Sequence, residues 1–536
     1  MTDRPCGLVV VQIDGLSRPL LDRLMRAGRM PVLGRLVRSG RLVVDDWTPH
    51  LPSCTPACQA GILHGRAHGI AGFRWYERST RRLLVANRPE DAAELARRVS
   101  DGRGLLAEGG ASVGNLLTGD APSSHLTLAT IEGDPTGRDR STRGGGYPID
   151  PRLYGRIAVL MAAELGREAV AALRGEDGSD RLQAVLRWRY LFDRSVSTIP
   201  LRLLSTALVA RAMRHGRPIV YVDFTGHDEV AHSRGPLSRE AARAATSIDE
   251  SLGLIVKARA RSPRRYRLVV LSDHGQSWGE TFSERFGTSL EAFVAATMGP
   301  GTSYYGATLP VEYHDSPVRL AGHAAPQAAG RSIAGIAGLT RSSGARTGES
   351  GDSRTSSRRA RRPSTADVVV AASGSLALVT FPRTGPLRRK GIDARYPGLL
   401  EALTRHPGIG AIVVRTEAGP LAIGRSGSRE LGGRASAVEG EDPCAPFGQE
   451  AAASLARIAA MDDAVDIVIV GALDPDGGVV ALEELEGHHG GLGGWQVRPF
   501  IAHPPDLALD PLHPVGAPAL YHQLREWMRQ LGIRDG

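Results

Sequence analysis

The stretch GLVVVQIDG, residues 7–15, opens the chain with a valine-rich apolar run that ends at an aspartate. Such a run is typical of a strand that is buried on both faces of a parallel sheet. Residues 19–39 follow it with Leu, Met and Val at helical spacing. The same order returns in an apolar run at 218–224, a helical pattern at 238–260 and a third run at 266–271. Alternating strands and helices predict an α/β fold with a largely parallel central sheet and helices on both faces.

One domain interrupted by an insertion is the predicted organisation. The first part, residues 1–330, includes a mainly helical addition at 151–214, and the second part is residues 364–536. The insertion at 331–363 is rich in Arg, Ser and Gly and lacks aromatic residues and apolar periodicity. We therefore predict that it is disordered.

Strands are also predicted in the second part. Two β-rich runs within 367–381 flank Ser373-Gly374-Ser375, which is a hairpin signal. Further strands are predicted at 409–415 and 464–470, and the absence of an internal repeat argues against solenoid and propeller folds.

The charge of the chain is unevenly distributed. The 536 residues include 66 basic and 57 acidic ones, a formal net charge of +9, and the insertion contributes +6 through eight arginines against Glu349 and Asp352. Because the remainder is nearly balanced, a uniformly basic face for nucleic acid is not predicted. For the insertion itself, contact with nucleic acid or anionic lipid is the alternative to a solvated segment.

The cysteine content and the apolar runs bear on the compartment. Four cysteines without a CxxC pair do not indicate a disulfide scaffold, and they favour a reducing cytoplasm. The N-terminal apolar run lacks a small-residue cleavage site, so we interpret it as a strand and not as a signal peptide. No integral membrane segment is predicted, since no uncharged apolar run reaches about eighteen residues, and any membrane association would be peripheral.

Acidic and imidazole side chains follow three of the predicted strands. Asp14 ends the first strand, Asp228 and His232 lie just past the second, and Asp273-His274 ends the third. In open α/β sheets, the carboxyl ends of the strands form the binding crevice. Carboxylate oxygen and imidazole nitrogen together suit divalent cations, so the sequence predicts a metal site at this edge.

Six motifs occur in one order along the chain. They are GLVVVQIDG (7–15), LPSCTPACQAGILHG (51–65), HGIAGFRWY (68–76), DEVAHSRGP (228–236), SDHG (272–275) and GHHG (487–490). This order resembles the type I phosphodiesterase and nucleotide pyrophosphatase branch of the alkaline phosphatase superfamily. The resemblance implies an alkaline phosphatase-like three-layer α/β/α sandwich. It also implies a metal-dependent phosphodiesterase or nucleotide pyrophosphatase that hydrolyses a small-molecule phosphate ester.

The resemblance also implies two metal ions, usually zinc in this family, although the donor types suit manganese as well. One ion would be held by Asp14, Thr55, Asp273 and His274. The other would be held by Asp228, His232 and His489. His489 is preferred to His488 because it directly precedes Gly490 in the motif. The neighbouring pair Asp223 and His227 has the same spacing as Asp228 and His232 but lacks the Gly-Pro that follows at the family's offset.

In this family pattern, Thr55 is the catalytic nucleophile. A free hydroxyl is a poor nucleophile at neutral pH, and metal coordination would stabilise its alkoxide. Hydrolysis would then proceed through a covalent threonyl intermediate. Without the motif, a structural hydroxyl in a turn beside Pro56 would be the preferred interpretation.

Two positions near the nucleophile bear on substrate binding. Cys58 stands where the family often has an Asn that supports the phosphate oxygens, and Asn115 is a candidate substitute donor, with a plain turn residue as the alternative. Phe73 and Trp75 are candidates for stacking on a base or another ring, with a place in the core as the alternative.

Three other functions compete with this interpretation. A sulfatase is suggested by Cys54-Thr55-Pro56, but position 58 is not the Arg of the sulfatase signature. A phosphomonoesterase of the same superfamily is a second alternative. A catalytically silent protein that binds anions or nucleic acid belongs to another class, and the unbroken ligand set argues against it.

Overall fold

The computed structural model describes residues 4–131, 159, 199–307, 358–359, 362–432, 437–461, 463 and 465–533. The strands in these ranges are β1 (Cys6–Ile13), β2 (Val43–Asp46), β3 (Arg74–Glu77), β4 (Arg82–Val85), β5 (Ala111–Val113), β6 (Ser124–His125), β7 (Ile219–Phe224), β8 (Arg265–Leu271), β9 (Ser277–Trp278), β10 (Ser303–Ala307), β11 (Arg358–Arg359), β12 (Val368–Ser373), β13 (Leu376–Thr380), β14 (Ile409–Arg415), β15 (Pro420–Ile423), β16 (Gly427–Glu430), β17 (Val438–Gly440), β18 (Ile467–Gly471), β19 (Gly487–His488) and β20 (Phe500–His503).

The α-helices in the same ranges are α1 (Arg18–Arg26), α2 (Pro31–Arg38), α3 (Thr55–His64), α4 (Pro89–Val99), α5 (199–214), α6 (Gly226–Arg234), α7 (Arg239–Ala258), α8 (Phe282–Phe286), α9 (Leu290–Met298), α10 (Arg389–Arg395), α11 (Leu399–Arg405), α12 (Ala451–Ala459) and α13 (Ala517–Gln530). Short two-stranded sheets are formed by β3 with β4 and by β9 with β19.

The central sheet has seven strands in the order β2-β20-β8-β1-β7-β5-β6. The five strands from β8 to β6 are parallel, and β20 runs antiparallel to β8 and to β2. β1 lies between β7 and β8, with Leu8 opposite Ile219 and Val9 opposite Leu268. The prediction of a largely parallel central sheet is confirmed.

Alternate residues of β1 face two different cores. Leu8 and Val10 pack in the core that includes residues of α3, α4 and α13. Val9, Val11 and Ile13 pack in the core that includes residues of α1, α2, α5 and α7. Because a strand points successive side chains to opposite faces, the continuous apolar run puts helices on both sides of the sheet. This arrangement is the predicted α/β/α layering.

A second sheet of nine strands accompanies the central one, in the order β11-β10-β12-β13-β18-β14-β15-β16-β17. β10 is parallel to β11 and β12, and each later neighbouring pair is antiparallel. The hairpin predicted within 367–381 is β12 and β13, with Gly374 in its turn at φ +62°. The sequence predicted several of these strands but not their separate sheet, because local periodicity does not specify strand partners.

Parts of two predicted segments lie outside the described residues. The helical addition predicted at 151–214 is described as a helix at 199–214. Within the predicted insertion, β11 pairs with β10 through Ser303 and Tyr304, whereas 331–357 lies outside the described residues. In the described part of the chain, no helix is long and apolar enough to cross a membrane.

Candidate active site

The seven predicted ligands come from five separate segments. Asp14 directly follows β1, Thr55 is the first residue of α3, Asp228 and His232 lie in α6, Asp273 and His274 follow β8, and His489 follows β19. All seven side chains are buried. They come together in two adjoining groups at the carboxyl edge of the parallel strands.

The first group surrounds the Thr55 hydroxyl. Thr55 Oγ1 lies 3.1 Å from His274 Nε2 and donates a hydrogen bond of 3.4 Å to Asp14 Oδ1. His274 Nε2 lies 3.4 Å from Asp14 Oδ1 and 3.4 Å from Asp273 Oδ2. Ligand atoms of Asp14, Asp273 and His274 all lie within 4.8 Å of one another, so these residues could hold a metal ion.

The second group adjoins the first. Asp228 Oδ2 lies 2.9 Å from His232 Nε2 and 3.7 Å from His489 Nε2, and the two Nε2 atoms are 3.1 Å apart. The His274 ring stacks on the His489 ring, with centroids 3.8 Å apart. Asp228, His274 and His489 also form a group that could hold a metal ion, so His274 lies between the two centres.

Each histidine of the set has its ring orientation fixed by a backbone carbonyl. His232 Nδ1 donates to the Gly487 carbonyl at 2.7 Å, and His274 Nδ1 donates to the Gly275 carbonyl at 3.0 Å. His489 Nδ1 donates to the Ser53 carbonyl at 3.1 Å. A carbonyl only accepts, so Nδ1 carries the proton and the lone pair of Nε2 points into the site. This second layer of hydrogen bonds is typical of metal-binding histidines.

His488 and the pair Asp223 and His227, which the sequence analysis set aside, have other partners. His488 places Nε2 2.9 Å from the Val479 carbonyl, away from the set. Asp223 Oδ2 accepts a hydrogen bond of 2.7 Å from Gln59, and His227 Nδ1 donates to the Asp14 carbonyl at 3.2 Å. His227 therefore supports the backbone of a candidate ligand.

The electrostatics of the first group favour cations. Burial raises the pKa of Asp14 well above its usual value, and the nearby carboxylates of Asp273, Asp223 and Asp228 reinforce the shift. Burial, with the charge of Asp228, raises the pKa of Asp273 to about 7. Several carboxylates in one dry cavity repel one another, and a divalent cation removes that cost.

The imidazoles complement this charge. Burial lowers the pKa of His274 well below its usual value, and the adjacent His489 adds to the shift, so His274 is neutral and can act as a ligand. Burial raises the pKa of Asp228, but His232 and His489 together outweigh it and hold that pKa well below its usual value. Mixed carboxylate and neutral imidazole donors fit divalent cations such as zinc.

Gly15 and Gln276 position Asp228, and the sequence analysis did not single out either of them. Gly15 has φ +66°, and a Cβ there would lie 3.0 Å from Asp228 Cγ and closer still to Oδ1. Gln276 Nε2 donates to Asp228 Oδ1 and, at 3.1 Å, to the Asp228 carbonyl. In the sequence, a role for Gly15 is indicated only by its place directly after Asp14, and no local pattern indicates a role for Gln276.

Ser53 joins the nucleophile segment to the His489 segment. Its Oγ donates to Gly491 O at 2.8 Å and accepts from Gly490 N at 3.2 Å, while its carbonyl accepts from His489 Nδ1. Ser53 lies two residues before Thr55, so these bonds set the position of Thr55 relative to the second group.

The second sheet also supports His489. A Cβ at Gly374, in the turn between β12 and β13, would lie 2.7 Å from the carbonyl carbon of His489. The Gly374 N–H donates to Glu483 Oε2 at 2.8 Å, and the other oxygen of Glu483 forms a fully buried ion pair of 2.8 Å with Arg74. The hairpin predicted from Ser373-Gly374-Ser375 thus lies directly behind a candidate ligand.

Burial of Phe73 and Trp75 favours the core alternative over the stacking role. Phe73 is buried in a cluster with Tyr76 and Val369, and Trp75 is buried in the core beside α3 and α4. Phe73 is 5% exposed and Trp75 is 1% exposed, and the Arg74 guanidinium lies over the Phe73 ring, 5.8 Å from its centroid. Asn115 Nδ2 donates hydrogen bonds to Ser112 Oγ at 2.7 Å and to the Tyr221 carbonyl at 3.4 Å. These contacts join it to the sheet and not to Thr55.

The cysteines beside Thr55 are buried thiols. Burial raises the pKa of Cys54 and of Cys58, so both are protonated and weakly nucleophilic at neutral pH. The hydroxyl of Thr55, not the Cys54 thiol, contacts Asp14 and His274. This arrangement weighs against the sulfatase alternative.

Comparison with known proteins supplies the family. Two solved structures similar to this chain are of phosphonoacetate hydrolase from Sinorhizobium meliloti 1021, in complex with phosphonoformate and with phosphonoacetate. Each is 17% identical, covers 97% of this chain and 96% of its own, and superposes with a TM-score of 0.43. No curated protein sequence matches the chain. The family model for type I phosphodiesterase / nucleotide pyrophosphatase matches residues 8–288, more than half of the chain. The chain therefore belongs to the type I phosphodiesterase/nucleotide pyrophosphatase family and is a phosphoester hydrolase.

Proposed function

We propose that the protein is a phosphodiesterase or nucleotide pyrophosphatase that uses two divalent metal ions and a covalent threonyl intermediate. Asp14, Thr55, Asp273 and His274 would hold one ion, and Asp228, His232 and His489 would hold the other. Zinc suits these donors best, and manganese is compatible with them. When bound, paired cations polarise the phosphoryl oxygens and lower the pKa of oxygen nucleophiles.

The observation that carries the proposal is the setting of the Thr55 hydroxyl. Thr55 Oγ1 lies 3.1 Å from His274 Nε2 and 3.4 Å from Asp14 Oδ1, at the buried N-terminus of α3. The partial positive charge of a helix N-terminus favours an oxyanion there and the phosphoryl oxygens next to it. No other hydroxyl of the described residues contacts both of these side chains.

The reaction would take place in two steps. Thr55 Oγ1 would attack phosphorus while the bond from phosphorus to the leaving oxygen breaks, and Asp14, which would be ionised when a cation is bound, would accept the hydroxyl proton at Oδ1. Water then attacks the threonyl phosphoester and restores the hydroxyl. Asp228, His232 and His489 would lie next to the path of the leaving oxygen. The Gly487 and Ser53 carbonyls orient the two imidazoles, and the Gln276 side chain orients the Asp228 carboxylate.

Thr55→Ala and Thr55→Ser test the nucleophile. We expect Thr55→Ala to abolish turnover and leave most of the metal content, because six of the seven donors remain. Thr55→Ser keeps a hydroxyl and should retain measurable turnover. Rapid quenching of the wild-type reaction, followed by peptide mass spectrometry, should find phosphate on Thr55. Normal turnover by Thr55→Ala would contradict the assignment.

A panel of model substrates tests the reaction class. Bis-p-nitrophenyl phosphate reports diesterase activity, and p-nitrophenyl phosphate and p-nitrophenyl sulfate report the two alternatives. We expect the diester to give the highest kcat/KM.

Four free cysteines fit a reducing compartment, so we propose the cytoplasm as the location.

A further inference from the structure

Three parallel strands begin side by side at the edge of the central sheet that lies opposite the ligand set. Cys6 of β1 is opposite Arg265 of β8, and Leu8 of β1 is opposite Ile219 of β7. The candidate ligands follow the other ends of the same strands. β1 has eight residues, and a rise of about 3.3 Å for each separates the two edges by about 26 Å.

The segments that lead into these strands are strongly basic. Residues 211–217, before β7, contain three arginines, and residues 257–267, which run into β8, contain five arginines and a lysine. Neither segment contains Asp or Glu, and Arg4 precedes β1. Together they carry more positive charge than the net +9 of the whole chain. The near-zero net charge outside 331–363 therefore includes a local excess of positive charge in these segments.

Hydrogen bonds hold these segments together without neutralising them. Arg264 donates from Nε to Gly216 O at 2.7 Å and from Nη1 to Cys6 O at 2.9 Å. Arg4 Nη1 donates to Ser262 O at 3.4 Å, and the Tyr266 hydroxyl donates to Arg217 O at 2.6 Å. The acceptors of these four bonds are backbone carbonyls, so the bonds themselves do not neutralise the charges of Arg4 and Arg264.

Few carboxylates of the described residues pair with these arginines. Within the described ranges, no Asp or Glu forms an ion pair with Arg4, Arg214, Arg217 or Arg261, although Arg267 pairs with Asp506. Burial lowers the pKa of Arg259, and the charges of Arg267 and Arg41 reinforce the shift. Arg4, Arg214 and Arg261 are exposed. Repulsion among these arginines is relieved when an anionic surface binds them.

We propose that this amino-edge patch, defined as Arg4 with the basic residues of 211–217 and 257–267, docks on an anionic phospholipid surface. Arginine pairs well with phosphate and carboxylate groups. Tyr266 is buried and is the one aromatic residue of the two segments, which also lack Asn and Gln. An exposed Phe, Tyr or Trp on which bases could stack is therefore missing from the two segments. Docking directs the ligand set away from the membrane, toward soluble substrates.

Vesicle co-sedimentation of the full chain tests the proposal. The probes are phosphatidylcholine vesicles, vesicles in which about a third of the lipid is phosphatidylserine, and a DNA duplex as competitor. The test variant is Arg214→Gln/Arg261→Gln, since both side chains are exposed. The matched control is Lys390→Gln/Arg425→Gln, which removes two exposed positive charges on the second-sheet side. Both variants retain the arginines of 308–357.

We expect the wild-type protein to bind the anionic vesicles, and not the phosphatidylcholine vesicles, at low salt. Each basic group at such a surface contributes about fivefold to partition, so the test variant should bind about 30-fold more weakly. The control variant should bind like wild type, and turnover should be unchanged in both. Equal binding by the test variant and wild type would overturn the proposal. Loss of vesicle binding at a DNA concentration far below the phospholipid concentration would instead assign the patch to nucleic acid.

Discussion

Gly15→Ala is a sharp test of the geometry proposed for the second group of ligands. Gly15 has φ +66°, and its missing side chain leaves room for the Asp228 carboxylate. A Cβ at this position would lie 3.0 Å from Asp228 Cγ, whereas ordinary contacts lie at 3.4–4 Å. The carboxylate would have to move by up to about 1 Å, and a displacement of that size within an active site can cost about a hundredfold in rate.

The backbone strain of the substitution needs its own control. An alanine in the left-handed region costs about 1 kcal/mol at any site. Gly40 has φ +67° and nothing within 4 Å of an added Cβ, so Gly40→Ala introduces the same strain without the steric clash. Comparing the two variants separates the effect on Asp228 from the effect on the backbone.

The assays are urea unfolding, metal content by mass spectrometry and kcat/KM with bis-p-nitrophenyl phosphate. We expect Gly40→Ala to lose about 1 kcal/mol of stability and to keep two metal ions and full turnover. Gly15→Ala should lose about a hundredfold in kcat/KM and should bind the ion at Asp228 more weakly. Wild-type kcat/KM and metal content in Gly15→Ala would show that the reasoning about Asp228 is wrong.

Three further predictions concern the same site. In this pH range, the folded metal-free protein holds protons on Asp14 and Asp273 that the unfolded chain releases. Metal-free protein should therefore lose stability as the pH rises from about 4 to about 7, and saturating metal should abolish this loss. Urea unfolding with and without a chelator measures both effects. Ser53→Ala removes the hydroxyl bonds to the His489 segment and should weaken metal affinity about 10- to 100-fold, as seen by competition with a chromogenic chelator; unchanged affinity would argue against this positioning role. His489→Ala should bind one ion fewer than wild type, and His488→Ala should bind the same number, so equal stoichiometry in the two variants would contradict the choice between them.

Much of the site could be predicted from the sequence because its ligands are short-range features. Each of Asp14, Asp228 and Asp273 lies within a few residues of a buried strand end, and the carboxyl ends of parallel strands share one edge. A valine-rich run between polar residues identifies such a strand by itself, as it does for 8–13, 218–224 and 266–271. The kinds of donor follow from these local patterns, whereas Thr55, His489 and the class of chemistry were implied by the resemblance of the six motifs to the family.

Contacts between distant segments could not be predicted in this way. The burial of Phe73 and Trp75, the support of His489 by Ser53 and by the turn at Gly374, and the second sheet all depend on which elements pair. Strand order and register come from long-range packing, which leaves no periodic trace in a single segment.

The separation of the basic segments from the carboxylates of the ligand set also comes from long-range packing. Composition shows a chain that is nearly balanced outside 331–363, yet folding places 211–217 and 257–267 at one edge of the sheet and the carboxylates of the ligand set at the other. The sequence by itself determined which strands form, which side chains end them and the chemistry those side chains suit. Only the tertiary structure decided which side chains meet, because parallel strands bring together residues that lie hundreds of positions apart in the chain.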